Sequence, residues 1–156
     1  MKSISGRGSR PATPQLAQQR RKARHYGVQA LYRWHFNGGS PGEIEAEFRS
    51  DYDFSHTDTE YFRAVLEGVI YHQADIDAGF AVYLDRPLAE LTPVELALLR
   101  QAVFELKYRL DVPYKVVISE AVALAGKFGA TDSYKYINGV LDRVAAEVRS
   151  VEVKGC

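Results

Sequence analysis

Apolar residues in this 156-residue chain recur mostly three and four positions apart, the spacing of side chains that share one face of a helix. Ala23, Gly27, Ala30, Leu31 and Trp34 follow that rule, and Asn37-Gly38-Gly39 interrupts it. The pattern predicts a first helix beginning near Gln15 and stopping at the glycines. Ser40-Pro41-Gly42-Glu43 is a fresh start signal. It offers a serine that can cap, a proline where a missing N–H costs nothing, and a glutamate that can reach back to the cap. A short helix with Ile44, Glu47 and Phe48 follows, then a polar loop from Asp51 to Ser55. Thr57 with Glu60 reads as another capping box, ahead of a stripe of Tyr61, Phe62, Val65, Leu66, Val69 and Ile70 wide enough for a buried helix. A segment starting near Asp75 carries Ile76, Phe80 and Tyr83 and closes at Arg86-Pro87.

Thr92-Pro93-Val94-Glu95 repeats the start signal. Val94, Leu98, Leu99, Ala102, Val103, Leu106 and Leu110 then form the most strongly amphipathic run in the chain. The stretch Asp111 to Asp142 reads as helix, tight turn, helix. Val112-Pro113 opens the first of the two, and Val117, Ala121, Leu124, Ala125 and Phe128 make its apolar face. Gly129, able to adopt positive φ, is expected to end it, with Thr131, Asp132 and Ser133 all available to cap the next. That next helix carries Tyr136, Ile137, Val140, Leu141, Val144 and Val148. No window alternates apolar and polar residues as a half-buried strand does. The expected fold class is therefore all-α, with about seven helices joined by short loops. Residues 1–14, MKSISGRGSRPATP, lack periodicity and are expected to be disordered.

Composition narrows the class without naming a function. With 46% apolar and 26% charged residues, this is an ordinary globular chain. The single cysteine, Cys156, permits no intrachain disulfide, which fits a cytoplasmic location. No apolar run approaches a membrane span, and the basic N-terminus lacks the apolar segment of a secretory signal. His25, His35, His56 and His72 lie in separate segments without metal-ligand spacing, and no nucleophile elbow or phosphate-binding glycine loop occurs. Neither catalysis nor a metal or cofactor is expected.

Charge changes the picture more. The formal net charge is zero, yet residues 1–42 hold eight Lys or Arg and no Asp or Glu. All twenty acidic residues lie beyond them. Such segregation suits two partners of opposite sign. Arg20, Arg21, Lys22 and Arg24 run directly into a helix, where they can neutralise phosphates and stack on bases. Tyr26, Tyr32, Phe36, Phe128 and Tyr136 offer flat faces of the kind that bind single-stranded RNA. At the last helix junction, Phe128, Asp132, Lys135 and Tyr136 could read a ligand. They could equally be a rim pair, a cap and a solvated lysine.

Four segments carry a resemblance. RRKARHYGVQALYRW (Arg20–Trp34), YFRAVLEGV (Tyr61–Val69), LTPVELALLRQAVFEL (Leu91–Leu106) and DVPYKVVISEAVALAGKFGATDSYKYINGVLD resemble, in order, the NusB transcription antitermination family. The likeness spans roughly residues 20–145 and is most specific in the last segment, through Pro113, Glu120, Ala121, Phe128, Asp132, Asn138, Gly139, Val140 and Leu141. It implies two packed helical subdomains, about 15–86 and 87–150, with no enzymatic activity. It further implies binding to boxA RNA together with NusE, a small ribosomal-subunit protein, in an RNA polymerase complex with other Nus factors that supports ribosomal RNA transcription. By position, Arg20, Arg21, Lys22 and Arg24 match the family's arginine-rich RNA-binding segment, and Phe128, Asp132, Lys135 and Tyr136 its second contact region. Arg100 joins the latter from the adjacent helix, and Glu95 falls on the protein-partner face. Self-association into a homodimer through the partner surface is also implied. The alternatives are a helical adaptor that binds only protein, or an accessory module for a separate RNA-modifying enzyme. The departure from the family pattern is the extra N-terminal stretch with Lys2, Arg7 and Arg10.

Overall fold

The computed structural model describes residues 13–129 and 132–155. Of residues 1–14, expected to be disordered, Thr13 and Pro14 form the start of the first helix; residues 1–12, and the capping role offered by Thr131, lie outside the described residues. Among them are eight α-helices: α1 (Pro14–Asn37), α2 (Pro41–Asp51), α3 (Thr59–Tyr71), α4 (Gln73–Ala81), α5 (Pro93–Tyr108), α6 (Tyr114–Phe128), α7 (Ser133–Val148) and α8 (Ser150–Lys154). A single 3-10 turn, Leu88–Glu90, precedes α5.

The start signals act largely as their chemistry dictates. Ser40 and Glu43 close a reciprocal capping box on α2, and Thr92 and Glu95 close one on α5. Thr13 caps α1 by accepting from the Leu16 N–H at 3.0 Å, so the helix begins at Pro14. The expected Thr57–Glu60 box on α3 is not formed. Asp58 caps instead, accepting from the Tyr61 N–H at 3.0 Å, because a carboxylate two residues before Glu60 reaches the free N–H groups directly. Gly38 ends α1 with φ 65°. Gly129 ends α6 with φ −95°, not the expected positive value. Its requirement for glycine is packing: a Cβ there would stand 2.8 Å from the Ala125 carbonyl oxygen and 3.1 Å from the Ser133 Cβ.

Helix α5 is the axis of the molecule. It contacts α1, α3 and α4 as well as α6 and α7. The sequence pattern suggested one apolar face, but every residue from Glu95 to Leu106 is buried. Its polar side chains enter the core because each finds a partner there. Leu110, expected on this face, lies beyond the helix and is 70% exposed. Two glycines permit the close crossings. A Cβ on Gly68 would fall 2.0 Å from the Phe104 ring, and one on Gly27 would fall 2.2 Å from Gln101 Oε1. At the other end, buried Arg149 donates to the Leu106 carbonyl at 2.8 Å and the Arg109 carbonyl at 3.0 Å, satisfying oxygens that a helix end leaves without partners.

Candidate nucleic-acid interface

The four cations near the start of α1 do not form one patch. Successive residues are turned by about 100° around a helix, and the neighbours on each side decide what each charge does. Arg20 points toward α3. It pairs with Asp58 at 3.4 Å and Asp111 at 3.5 Å, and its guanidinium lies 4.7 Å from the centre of the Tyr61 ring. Arg24 points into the core, where it is 3% exposed and ion-paired with Glu105 at 2.9 Å. The Tyr61 hydroxyl donates to the same carboxylate. Burial opposes the Arg24 charge, but Glu105 outweighs it and holds the guanidinium above its ordinary pKa. Arg21 and Lys22 remain on the surface. Arg21 forms a fork with Glu120 of α6, at 3.0 and 3.1 Å, with its side chain 60% exposed.

Arg21 and Lys22 border a groove of about 480 Å³ between α1 and α6. Gln18 and His25 complete its α1 wall, and Glu120, Ala123, Leu124 and Lys127 form the other. Lys22 and Lys127 have no carboxylate within 4 Å among the described residues. The positive field is felt by His25, whose pKa is depressed by burial and then by the charges of Lys127 and Lys22. Pattern reading missed His25 and Lys127. A lone histidine and a lysine at the end of a helix carry no signal until the two helices are laid side by side.

Phe128 joins this groove to the last helix junction. Its ring centre is 5.0 Å from that of His25, and it is half-buried against the core. Tyr136 faces the other way. The Asp85 N–H donates to its hydroxyl at 3.3 Å, and the Arg86 guanidinium lies 4.5 Å from its ring centre. Asp132 and Lys135 are exposed, and Asp132 makes no side-chain cap on α7. The four residues expected to cluster are thus spread around the start of α7, with Phe128 toward α1 and Tyr136 toward the α4–α5 connection.

Two expected contact residues are internal. Arg100 is 6% exposed and grips Asp77 with a two-bond fork at 2.9 and 2.8 Å, so its charge is spent holding α5 to α4. Glu95 is 8% exposed. It caps α5 and accepts from the Ser133 hydroxyl at 3.3 Å, tying α5 to the start of α7. Of the five candidate stacking rings, Tyr26 is buried and stacked on Phe54 at 4.8 Å.

A second groove, of about 420 Å³, runs along α1 and α2. Val28, Tyr32, Phe48, Tyr52, Val94 and Phe128 give it an apolar floor, while Asp51 and the Arg33–Glu47 ion pair, closed at 2.6 Å, stand at its edge. Tyr32 and Tyr52 are 42% and 44% exposed, and Phe36, on the same helix as Tyr32, is 59% exposed. No helix among the described residues is long and apolar enough to cross a membrane, and no group of acidic, histidine and cysteine side chains there could hold a metal ion.

A family model for the NusB family matches residues 21–146. Transcription antitermination protein NusB of Teredinibacter turnerae is 56% identical over 137 residues, covering 87% of this chain and 93% of that relative. The protein of the same name from Pseudomonas savastanoi pv. phaseolicola is 52% identical over 136 residues, covering 87% of this chain and 82% of that one. Among solved structures, T. maritima NusB superposes with a TM-score of 0.76 at 28% identity, covering 92% of this chain and 99% of that chain. A chain from the crystal structure of antitermination factors NusB and NusE in complex with dsRNA gives a TM-score of 0.75 at 28% identity, covering 81% of this chain and 96% of that one.

Proposed function

Because this chain belongs to the NusB family of transcription antitermination proteins, which are not enzymes, we propose that it binds boxA-type RNA through the α1–α6 groove and NusE through the α1–α2 groove. The observation that carries the RNA reading is a pair of surface lysines, Lys22 and Lys127, that form no ion pair among the described residues and line opposite walls of a groove bordered by the His25–Phe128 ring contact. Like charges held together repel, and a polyanion between them removes the repulsion. Arg21 and Lys22 meet phosphates, Phe128 stacks on a base, and Lys135 and Asp132 extend the contact at the start of α7, the lysine to phosphate and the carboxylate to a base edge. Tyr136 adds a ring whose partner is Arg86. Arg20, Arg24 and Arg100 act as positioning residues: they lock α1 and α5 in place so that Arg21 and Lys22 point outward.

The protein-partner reading rests on the second groove. Exposed aromatics on an apolar floor, with the Asp51 carboxylate and the Arg33–Glu47 pair at the rim, suit a protein surface that brings an apolar side chain and a cation. Glu95 supports this face from behind, one residue from Val94 on its floor. With NusE and RNA bound, the chain acts in the cytoplasm within an RNA polymerase assembly that includes other Nus factors and supports ribosomal RNA transcription. Two copies of the chain pair through the same aromatic groove when NusE is absent.

Equilibrium binding of a boxA-type oligonucleotide across salt, with and without NusE, tests the proposal. With Arg21, Lys22 and Lys135 each meeting one phosphate, log K falls against log salt with a slope of about −2. Arg21→Ala with Lys22→Ala brings the slope to about −0.7. An unchanged slope in that double variant removes the α1 surface from the site.

A further inference from the structure

We propose that Lys22, His25 and Lys127 form a proton-linked phosphate pocket, in which the RNA backbone phosphate that enters the α1–α6 groove is met by an imidazole that gains a proton as it binds. This rests on the RNA-binding reading above and adds to it one residue, His25, and a dependence on pH. His25 lines the groove with its ring against Phe128, at 5.0 Å and 35°, and against Tyr26, at 5.5 Å and 71°. The two aromatic contacts hold it at the groove wall, and its ring nitrogens make no hydrogen bond among the described residues. The imidazole therefore has both nitrogens to offer an anion.

The charged groups around it come from three elements. Arg21 and Lys22 lie on its own helix, and Glu120 and Lys127 face it from α6. Asp53, on the α2–α3 loop, feels the charges of His56 and Lys22. Glu120 is committed to Arg21, so the near field at His25 is that of two lysines. Burial and these lysines hold the free imidazole below its ordinary value of 6.5. A phosphate placed among the three groups reverses the balance and favours the cation. The bound-state pKa then lies above the free-state pKa. Above both values the imidazole is neutral in either state and affinity does not depend on pH. Between them, binding takes up a proton and affinity rises as pH falls; below both it levels off.

The test is fluorescence anisotropy of the full chain with a boxA-type RNA oligonucleotide near pH 8, 7 and 6 at constant ionic strength, alongside NMR titration of the His25 ring with and without RNA. Wild-type affinity rises on the order of threefold between about pH 7 and 6, within the tenfold per pH unit that one proton allows. His25→Gln still binds RNA, but its pH profile is flat. Lys127→Gln raises the titration midpoint of His25 in the free protein, because one depressing charge is gone. The proposal is overturned if His25→Gln keeps the wild-type profile, or if the His25 midpoint is the same with and without RNA. Binding by the wild type with no pH dependence overturns this pocket alone, whereas no RNA binding at any pH overturns the RNA reading and the pocket with it.

Discussion

Arg21 and Arg24 are one helical turn apart and have opposite fates. Arg21 lies 60% exposed beside Glu120, and Arg24 lies buried against Glu105 and Tyr61. Removing one partner of a buried ion pair strands the other charge in the core, which costs about 3–5 kcal/mol. Removing an exposed pair costs under about 1 kcal/mol. Arg24→Ala is therefore expected to lower stability to chemical denaturation by about 3 kcal/mol or more, while Arg21→Ala leaves it within about 1 kcal/mol of wild type and weakens RNA binding. Urea melts paired with RNA titrations separate the two. The cluster as a cluster was legible in the sequence, since four cations at a helix start are plain to see. Which of them faced solvent was not. That depends on Glu105, 81 residues further on, and on Asp58 and Asp111, whose nearness to α1 is a product of the fold. The burial of Arg100 was illegible for the same reason: Asp77, its partner, sits on another helix.

Helix positions followed directly from periodicity, because a helix buries residues at its own repeat whatever it packs against. The apolar face of α3 follows the pattern: Tyr61, Phe62, Val65, Leu66 and Val69 are buried and Ile70 is partly buried against the core. Helix α5 departed from its pattern because it is surrounded. A helix between two layers buries its polar face as well when its polar groups find partners: Arg100 and Glu105 are ion-paired, and Gln101 donates its amide N–H to the Arg24 carbonyl. The same central position makes the crossings of α5 sensitive to single methyl groups. A Cβ on Gly68 would overlap the Phe104 ring, which is 5% exposed and has little room to move. Gly68→Ala is expected to destabilise by about 1–3 kcal/mol, even though alanine is the better helix former, because overpacking outweighs a propensity gain of about 1 kcal/mol. Phe104→Leu, introduced with it, should recover part of the loss. If Gly68→Ala raises the melting temperature instead, α3 and α5 are less closely packed than these distances require.

At the scale of the molecule, α1 is shared by two surfaces of different chemistry: a basic groove against α6 and an aromatic groove against α2. Segregated charge along the chain foreshadowed two partners, but not that one helix would serve both. Phe128 is the partition between them. It lines the aromatic groove on one side and packs on His25, in the wall of the basic groove, on the other. Occupancy of either groove therefore acts on the same ring. A partner that fixes Phe128 in place removes an ordering cost from the second binding event, which is positive coupling without a large change of shape. Coupling between binding sites is reciprocal, so NusE should tighten RNA binding by the same factor by which RNA tightens NusE binding. For linkage through one side chain, that factor is on the order of fivefold. Tyr32→Ala should weaken NusE binding and leave the affinity for RNA alone at the wild-type value, since Tyr32 touches only the aromatic groove. Lys22→Ala should do the converse. Phe128→Ala should weaken both partners and bring the coupling factor toward one. Calorimetric titration of each partner, alone and with the other present, gives all four affinities of the cycle. A coupling factor that survives Phe128→Ala intact would mean that NusE and RNA touch each other directly, and that the partition carries nothing between the grooves.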